Sequence, residues 1–180
     1  MISSTLKKLI GLPITCENPK TIFVGLIGGV GDLLAAAPSV AALKRKYPKA
    51  KLTFGVGDGI FFSTIKNDPN IDHFETPFSY NVWKKRGHRK AYREKYKEYD
   101  LVFLLDNGNR DWWKPQKHLL DIYAEKCRVT LEQRRPLIYL DDKDIKEAQK
   151  KLNELDISKN DKLMILSPET RSKKEMKEWP

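Results

Sequence analysis

Residues 21–34 read TIFVGLIGGVGDLL. Thr21 to Ile27 is β-branched and apolar, and it lies between Pro19 and Gly28, so it reads as a buried strand. Gly28, Gly29 and Gly31 make a flexible turn. Asp32 reads as the N-cap of a helix over Leu33 to Tyr47. That helix stops before Pro48 and carries Lys44, Arg45 and Lys46 in its last turn, where cations complement the helix dipole. Pro38 lies inside it and predicts a kink or a late start. A strand, a glycine turn and a helix in this order open an α/β sheet.

The same alternation continues outward. Lys51 to Val56 reads as a second strand, Ile60 to Lys66 as a short helix and Ile71 to Glu75 as a third strand. Val82 to Tyr99 reads as a basic helix, with Tyr92, Tyr96 and Tyr99 at helical spacing. Leu101 to Leu105 is a fourth strand of pure core type. Gln116 to Cys127 is helical, and Leu119, Leu120, Ile122, Tyr123 and Cys127 supply its apolar face. Leu137 to Leu140 reads as a short strand, Asp142 to Leu155 as a strongly polar helix, and Leu163 to Leu166 as one more strand. Alternating strands and helices mean βαβ units, hence an α/β fold: a Rossmann-like parallel sheet with helices on both faces. The polar helix reads as a bridge between domains. The strand near Lys162 would leave an unpaired edge if it closed a domain alone. The expected organisation is a tail over 1–18, a Rossmann-like domain over 19–140, an interdomain helix and linker over 141–160, and the start of a further domain over 161–180.

Composition narrows the class. The 180 residues carry 34 Lys and Arg against 24 Asp and Glu, a net charge of +10, with 40% hydrophobic residues. Frequent, well-spaced apolar runs exclude a disordered chain. The long apolar stretch Thr21 to Leu43 is broken by four glycines, Asp32 and Pro38, so it does not read as a membrane span. Two cysteines, Cys16 and Cys127, make no disulfide framework, and the apolar run Leu9 to Ile14 is too short for a signal peptide. The expected location is the cytoplasm.

The charge is concentrated. Lys84 to Lys97 holds eight Lys and Arg against Glu94 alone, a net +7. A second cluster, Arg171, Lys173, Lys174 and Lys177, lies in the last ten residues. Such patches gather anions: nucleic acid, an anionic lipid surface or a phosphorylated small molecule. They also suit a solvated helix face.

Three segments carry groups suited to chemistry. Gly29, Gly31 and Asp32 follow the first strand, at the carboxyl end of the sheet where α/β ligands bind. There Asp32 can serve as a general base, or simply cap the helix. The segment lacks the third small residue of a dinucleotide fingerprint, since Leu34 stands there, and it is not a P-loop. Asp106 to Trp113 follows the fourth strand; Asn107, Asn109 and Arg110 can hydrogen-bond a polyhydroxy ligand, and His118 begins the next helix nearby. Ser167 to Pro180 places Thr170, Ser172 and Lys177 after a strand, a set suited to a phosphate or diphosphate. The histidines and cysteines show no metal-ligand spacing.

The order of these motifs resembles glycosyltransferase family 9, the heptosyltransferases of lipopolysaccharide core synthesis. The resemblance rests on Gly28-Gly29-Val30-Gly31-Asp32, Pro38 and Tyr47-Pro48. It continues through Tyr99-Asp100 to Leu105, Gly108-Asn109-Arg110, His118, the polar helix, and Ser167 to Lys177-Glu178-Trp179-Pro180. It implies the N-terminal domain of a GT-B glycosyltransferase and an inverting, metal-independent transfer of heptose from ADP-heptose, with no cofactor. The implied acceptor is an anionic lipid-linked glycan, met at the cytoplasmic face of the inner membrane, and no nucleic acid is expected. By this likeness Asp32 is the catalytic base; Thr170, Ser172 and Lys177 hold the donor phosphates; and Gly29, Gly31, Asn107, Asn109, Arg110 and His118 line the acceptor side.

Three departures stand out. Arg171 to Met176 makes a longer loop than the family's, Ala35-Ala36-Ala37 is a smaller segment, and the chain ends at Trp179-Pro180. The expectation is therefore an acceptor-side half that transfers no sugar alone. Two rivals remain. One is a nucleic-acid-binding module built on Lys84 to Lys97 with Trp83, Tyr92 and Tyr96. The other is an NAD-type Rossmann domain, for which Asp58 is the acidic candidate.

Overall fold

In the computed structural model, strand β1 (Thr21–Leu26) lies inside a four-stranded sheet of order β3-β2-β1-β4. Its neighbours are β2 (Lys51–Gly55) and β4 (Leu101–Leu105), and β3 (His73–Glu75) pairs with β2. All pairings are parallel, with Gly25 opposite Gly55 and Leu26 opposite Leu105. The structure describes residues 16–26, 28–57, 59–76, 78, 94–105 and 117–166. The helices described from end to end are α1 (Val30–Lys46), α2 (Gly59–Ile65), α3 (Leu119–Cys127) and α4 (Asp142–Glu154). This is a Rossmann-like α/β arrangement. The chain divides into two compact units, Met1–Tyr139 and Leu140–Pro180.

In the first unit, β1 and β2 bury both faces, as near-continuous apolar runs require, while β4 is partly buried and β3 lies at the edge. Ile22, Val24 and Leu26 point into the larger core, with Leu33, Val40 and Leu43 of α1 and Leu120, Tyr123 and Cys127 of α3. Phe23 points the other way, into a smaller cluster with Phe78 and Tyr96. Tyr96 stacks on Phe23 with ring centroids 3.9 Å apart. Phe78 lies against Gly25 and Gly55: a Cβ at either glycine would fall 2.5–2.8 Å from its ring. The paired glycines thus form the flat seat for that aromatic cluster.

The amino edge of the sheet is tied by two carboxylates. Asp100 Oδ2 accepts from the N–H groups of Lys20 (2.7 Å) and Thr21 (3.0 Å), joining the starts of β4 and β1. Asp72 Oδ2 accepts from the Leu52 N–H (2.7 Å) and the Lys44 ammonium (2.5 Å), joining the start of β3 to β2 and α1.

Helix α1 runs through Pro38 without a late start, beginning three residues earlier than expected. Proline offers no N–H to the carbonyl four residues back, which leaves the Leu34 oxygen without its helical donor. The Leu137 N–H fills that position at 3.3 Å. This explains one correction. Leu137 to Leu140 forms no strand, because its first amide is bonded to a helix rather than to a sheet edge.

In the second unit, α4 begins at a reciprocal cap. The Asp141 carboxylate accepts from the Asp144 N–H (2.8 Å) and the Asp144 carboxylate from the Asp141 N–H (3.3 Å). None of its residues is buried. The strand expected at Leu163 to Leu166 is also absent, and these four side chains are 52–81% exposed. A β-strand exists through its ladder partner, and none is present among the described residues.

Candidate active site

The chain steps outward from β1 to β2 and β3, then returns to set β4 on the other side of β1. The strand order therefore reverses between β1 and β4. The crevice outside the carboxyl ends of strands at such a reversal is where open α/β sheets take ligands. Two segments leave the sheet there: Gly28 to Asp32 after β1, and the polar stretch after Leu105.

Asp32 stands on the first turn of α1, but not as its cap. Gly29 is the N-cap and Asp32 is the third helical residue, a correction to the sequence reading. Its Oδ2 reaches back to accept from the Gly29 N–H at 2.8 Å. An acidic group here meets both an orphan amide and the positive end of the helix dipole. Gly28 makes this possible by close approach: a Cβ at Gly28 would lie 2.5 Å from Asp32 Cβ, Cγ and Oδ2.

The second oxygen is held from the neighbouring helix. Tyr123 Oη–H of α3 donates to Asp32 Oδ1 at 3.2 Å. The Tyr123 side chain is wholly buried, 0% exposed, in the core with residues of α1 and the sheet. The sequence reading placed Tyr123 in an apolar stripe and missed this contact. The signal was available, because a buried tyrosine hydroxyl has to find a partner. A hydrogen bond to a carboxylate contributes roughly 1.5–3 kcal/mol. The carboxylate is therefore fixed at both oxygens while its residue stays half-buried.

The other expected site residues divide. Gly31 is exposed at the start of α1, with open space where a side chain would stand. His118 is exposed and is the N-cap of α3, its Nδ1 accepting from the Leu120 N–H at 3.3 Å. It has a capping role and begins the helix that carries Tyr123. Asn107, Asn109 and Arg110 lie outside the described residues, as do Thr170, Ser172 and Lys177. So does most of the basic segment. Of its described part, Lys95 pairs with Glu75 at 2.9 Å, and Tyr96 is buried with its hydroxyl 2.5 Å from the same carboxylate. Tyr96 is thus not available to stack on a nucleic-acid base. Among the described residues no group of three His, Cys, Asp or Glu is placed to hold a metal ion.

A cavity of about 570 Å³ opens at the opposite, amino edge, lined by Thr21, Lys51, Thr53, Asp72, His73, Glu98 and Tyr99. Four of its polar side chains are engaged within the sheet. Asp72 holds Leu52, Thr21 bonds Asp100, and the Tyr99 hydroxyl donates to Thr53 Oγ1 at 3.3 Å. The carboxyl edge, with its carboxylate at the topological reversal, is the stronger candidate.

This fold is shared with known proteins. A crystal structure of a glycosyl transferase family 9 protein from Veillonella parvula DSM 2008 superposes with a TM-score of 0.57 at 16% identity, over 82% of this chain. The chain shares the fold of about half of that structure. The E. coli ADP-heptose lps heptosyltransferase II also aligns, with a TM-score of 0.46 at 13% identity over 77% of the chain. The matched region spans about half of each of these proteins, 53% and 51%. No protein-family model and no curated protein matches the sequence. Among the described residues no helix is long and apolar enough to cross a membrane.

Proposed function

We propose that these residues form the acceptor-side part of an inverting glycosyltransferase of the GT-B type, with Asp32 as the catalytic base. The observation that carries this reading is the Asp32 carboxylate at the reversal between β1 and β4, fixed at both oxygens. In an inverting displacement, an acceptor hydroxyl attacks the anomeric carbon of a sugar nucleotide from the face opposite the leaving diphosphate. The hydroxyl becomes strongly nucleophilic only as it loses its proton, and a positioned carboxylate takes that proton. The nucleoside diphosphate leaves with the bonding electrons. Lys177, Thr170 and Ser172 are the groups of this chain suited to neutralise its charge.

By the motif resemblance the donor is ADP-heptose and the acceptor an anionic, lipid-linked core glycan at the cytoplasmic face of the inner membrane. Gly29, Gly31, Asn107, Asn109, Arg110 and His118 are assigned to the acceptor side, and the positive charge of segment 84–97 suits an anionic acceptor. The donor's adenosine is assigned to a second Rossmann-like domain. DNA following codon 180 that encodes such a domain in frame supports the division; an immediate stop codon in the genomic sequence argues against it.

Acceptor binding tests the site on the chain itself. Titration of the isotope-labelled chain with a phosphorylated core glycan is expected to shift the amide resonances of Gly29, Gly31 and Asp32. Shifts confined to Thr21, Lys51 and His73 at the amino edge would move the site to the other end of the sheet.

A further inference from the structure

Helix α3 does more than pack against α1. From its buried position Tyr123 reaches the one oxygen of Asp32 that the helix cap does not hold. We propose that Tyr123 is a positioning residue that fixes the rotamer of the Asp32 carboxylate through its hydroxyl. This inference rests on the reading of Asp32 as the base and adds the device that aims it.

The geometry makes the hydroxyl, rather than the ring, the active part. A carboxylate at the third position of a helix has a cap bond available to it, and Gly29 N–H provides that bond to Oδ2. One bond leaves the carboxyl free to swing about its terminal torsion, which is broad and roughly two-fold. A second donor on the other oxygen removes that freedom. Tyr123 is anchored for this task by complete burial in the core that α1 and α3 share with the sheet. Gly28 leaves room for the carboxylate, since any Cβ there would overlap it. The base is thus set by three residues from the two segments flanking the strand reversal: Gly28 and Gly29 after β1, and Tyr123 on the helix after β4. A base held this way needs no reorientation when the acceptor hydroxyl arrives, which is the condition for efficient proton removal in a near-attack geometry.

His118 caps the helix that carries Tyr123. A shift of α3 along its axis would act on Asp32 through one hydrogen bond.

The test compares Tyr123→Phe with the unaltered chain by NMR. Loss of the hydroxyl is expected to move the Asp32 carboxyl carbon resonance and to speed hydrogen exchange at the Gly29 amide about tenfold, while the amides of β1, β2 and β4 keep their protection. An unchanged Asp32 resonance and unchanged Gly29 exchange in a folded variant overturn the proposal. If Tyr123→Phe fails to fold, Asp32→Asn gives the reciprocal reading: the Tyr123 ring carbon bearing the hydroxyl shifts if the bond exists and stays in place if it does not. In a transfer assay on residues 1–180 joined to a donor-binding domain, Tyr123→Phe is expected to lower kcat about tenfold with KM unchanged. Retained transfer in Asp32→Asn, by contrast, removes the base reading and leaves the NMR result for Tyr123 standing.

Discussion

The space beside Gly28 belongs to Asp32. A methyl group there would stand 2.5 Å from three atoms of the aspartate, so Gly28→Ala has to push the carboxylate away from Gly29 and Tyr123. The expected cost is about 1–3 kcal/mol in a denaturant titration, typical of overpacking. Transfer is expected to fall more steeply than stability, toward the level of Asp32→Asn. A Gly28→Ala protein with full transfer would show that the carboxylate needs no fixed position. Cys127 gives a second expectation. Complete burial pushes its thiol up to about 12, so it is the thiol and not the reactive thiolate at neutral pH. Maleimide labelling at Cys127 is expected only in denaturant; rapid labelling of native protein would contradict the packing of α3. At this scale the sequence revealed Asp32 as a residue type in a revealing place, but not its role in the helix. Gly29 takes the cap because it precedes the first helical turn, and Asp32 folds back onto it. Tyr123 was hidden because ring and hydroxyl obey different rules, and its apolar neighbours showed only the ring.

The elements explain why two expected strands did not form. The runs TIFVGL, KLTFG and LVFLL became strands where their β-branched and aromatic residues met parallel partners. Leu137 to Leu140 has a similar composition, yet its first amide completes the carbonyl that Pro38 leaves free in α1. Leu163 to Leu166 has strand composition and no ladder among the described residues. Local pattern reports a propensity, and pairing depends on residues far away in the chain. The Pro38 account predicts that the Leu137 amide exchanges markedly more slowly than its unstructured neighbours; exchange at the free-peptide rate would refute it. The glycine seat is equally testable. Gly55→Ala is expected to cost about 1–3 kcal/mol, because the new Cβ meets the Phe23 and Phe78 rings at 2.8 Å. Phe78→Leu should relieve part of that cost, so the double variant should be less unstable than the two single losses added. Strict additivity would mean the rings are not seated on the glycines.

At the scale of the sheet as a whole, its two ends are built differently. The amino edge is clamped by carboxylates. Partial burial opposes charge on Asp100, but the amides of Lys20 and Thr21 and the Thr21 hydroxyl outweigh it and hold the carboxyl below 3.8. Partial burial likewise opposes charge on Asp72, and the Leu52 amide and Lys44 ammonium outweigh it. Groups depressed in the folded state contribute stability that is present above the unfolded value of 3.8 and lost as pH falls through the folded values. Asp68 acts in the opposite sense: burial raises it despite its bonds from Asn70, so its charged form costs stability above 3.8. Denaturant midpoints are therefore expected to fall in acid below about pH 4, and Asp100→Asn is expected to flatten that fall. A pH profile unaltered by Asp100→Asn would show that the clamp is not coupled to folding. The carboxyl edge carries the reversal of strand order and the fixed aspartate. The fold class was legible from alternation alone, whereas strand order was not, because it depends on which strand the chain returns to after a long crossing. The central claim is that Asp32 removes the acceptor proton. Its most direct test is heptose transfer from ADP-heptose to a lipid-linked core acceptor, measured on residues 1–180 joined to a donor-binding domain, with Asp32 and with Asp32→Asn. The account predicts a fall of about 10²–10⁴-fold in kcat for Asp32→Asn with acceptor binding retained. Transfer at the unaltered rate by Asp32→Asn would contradict it.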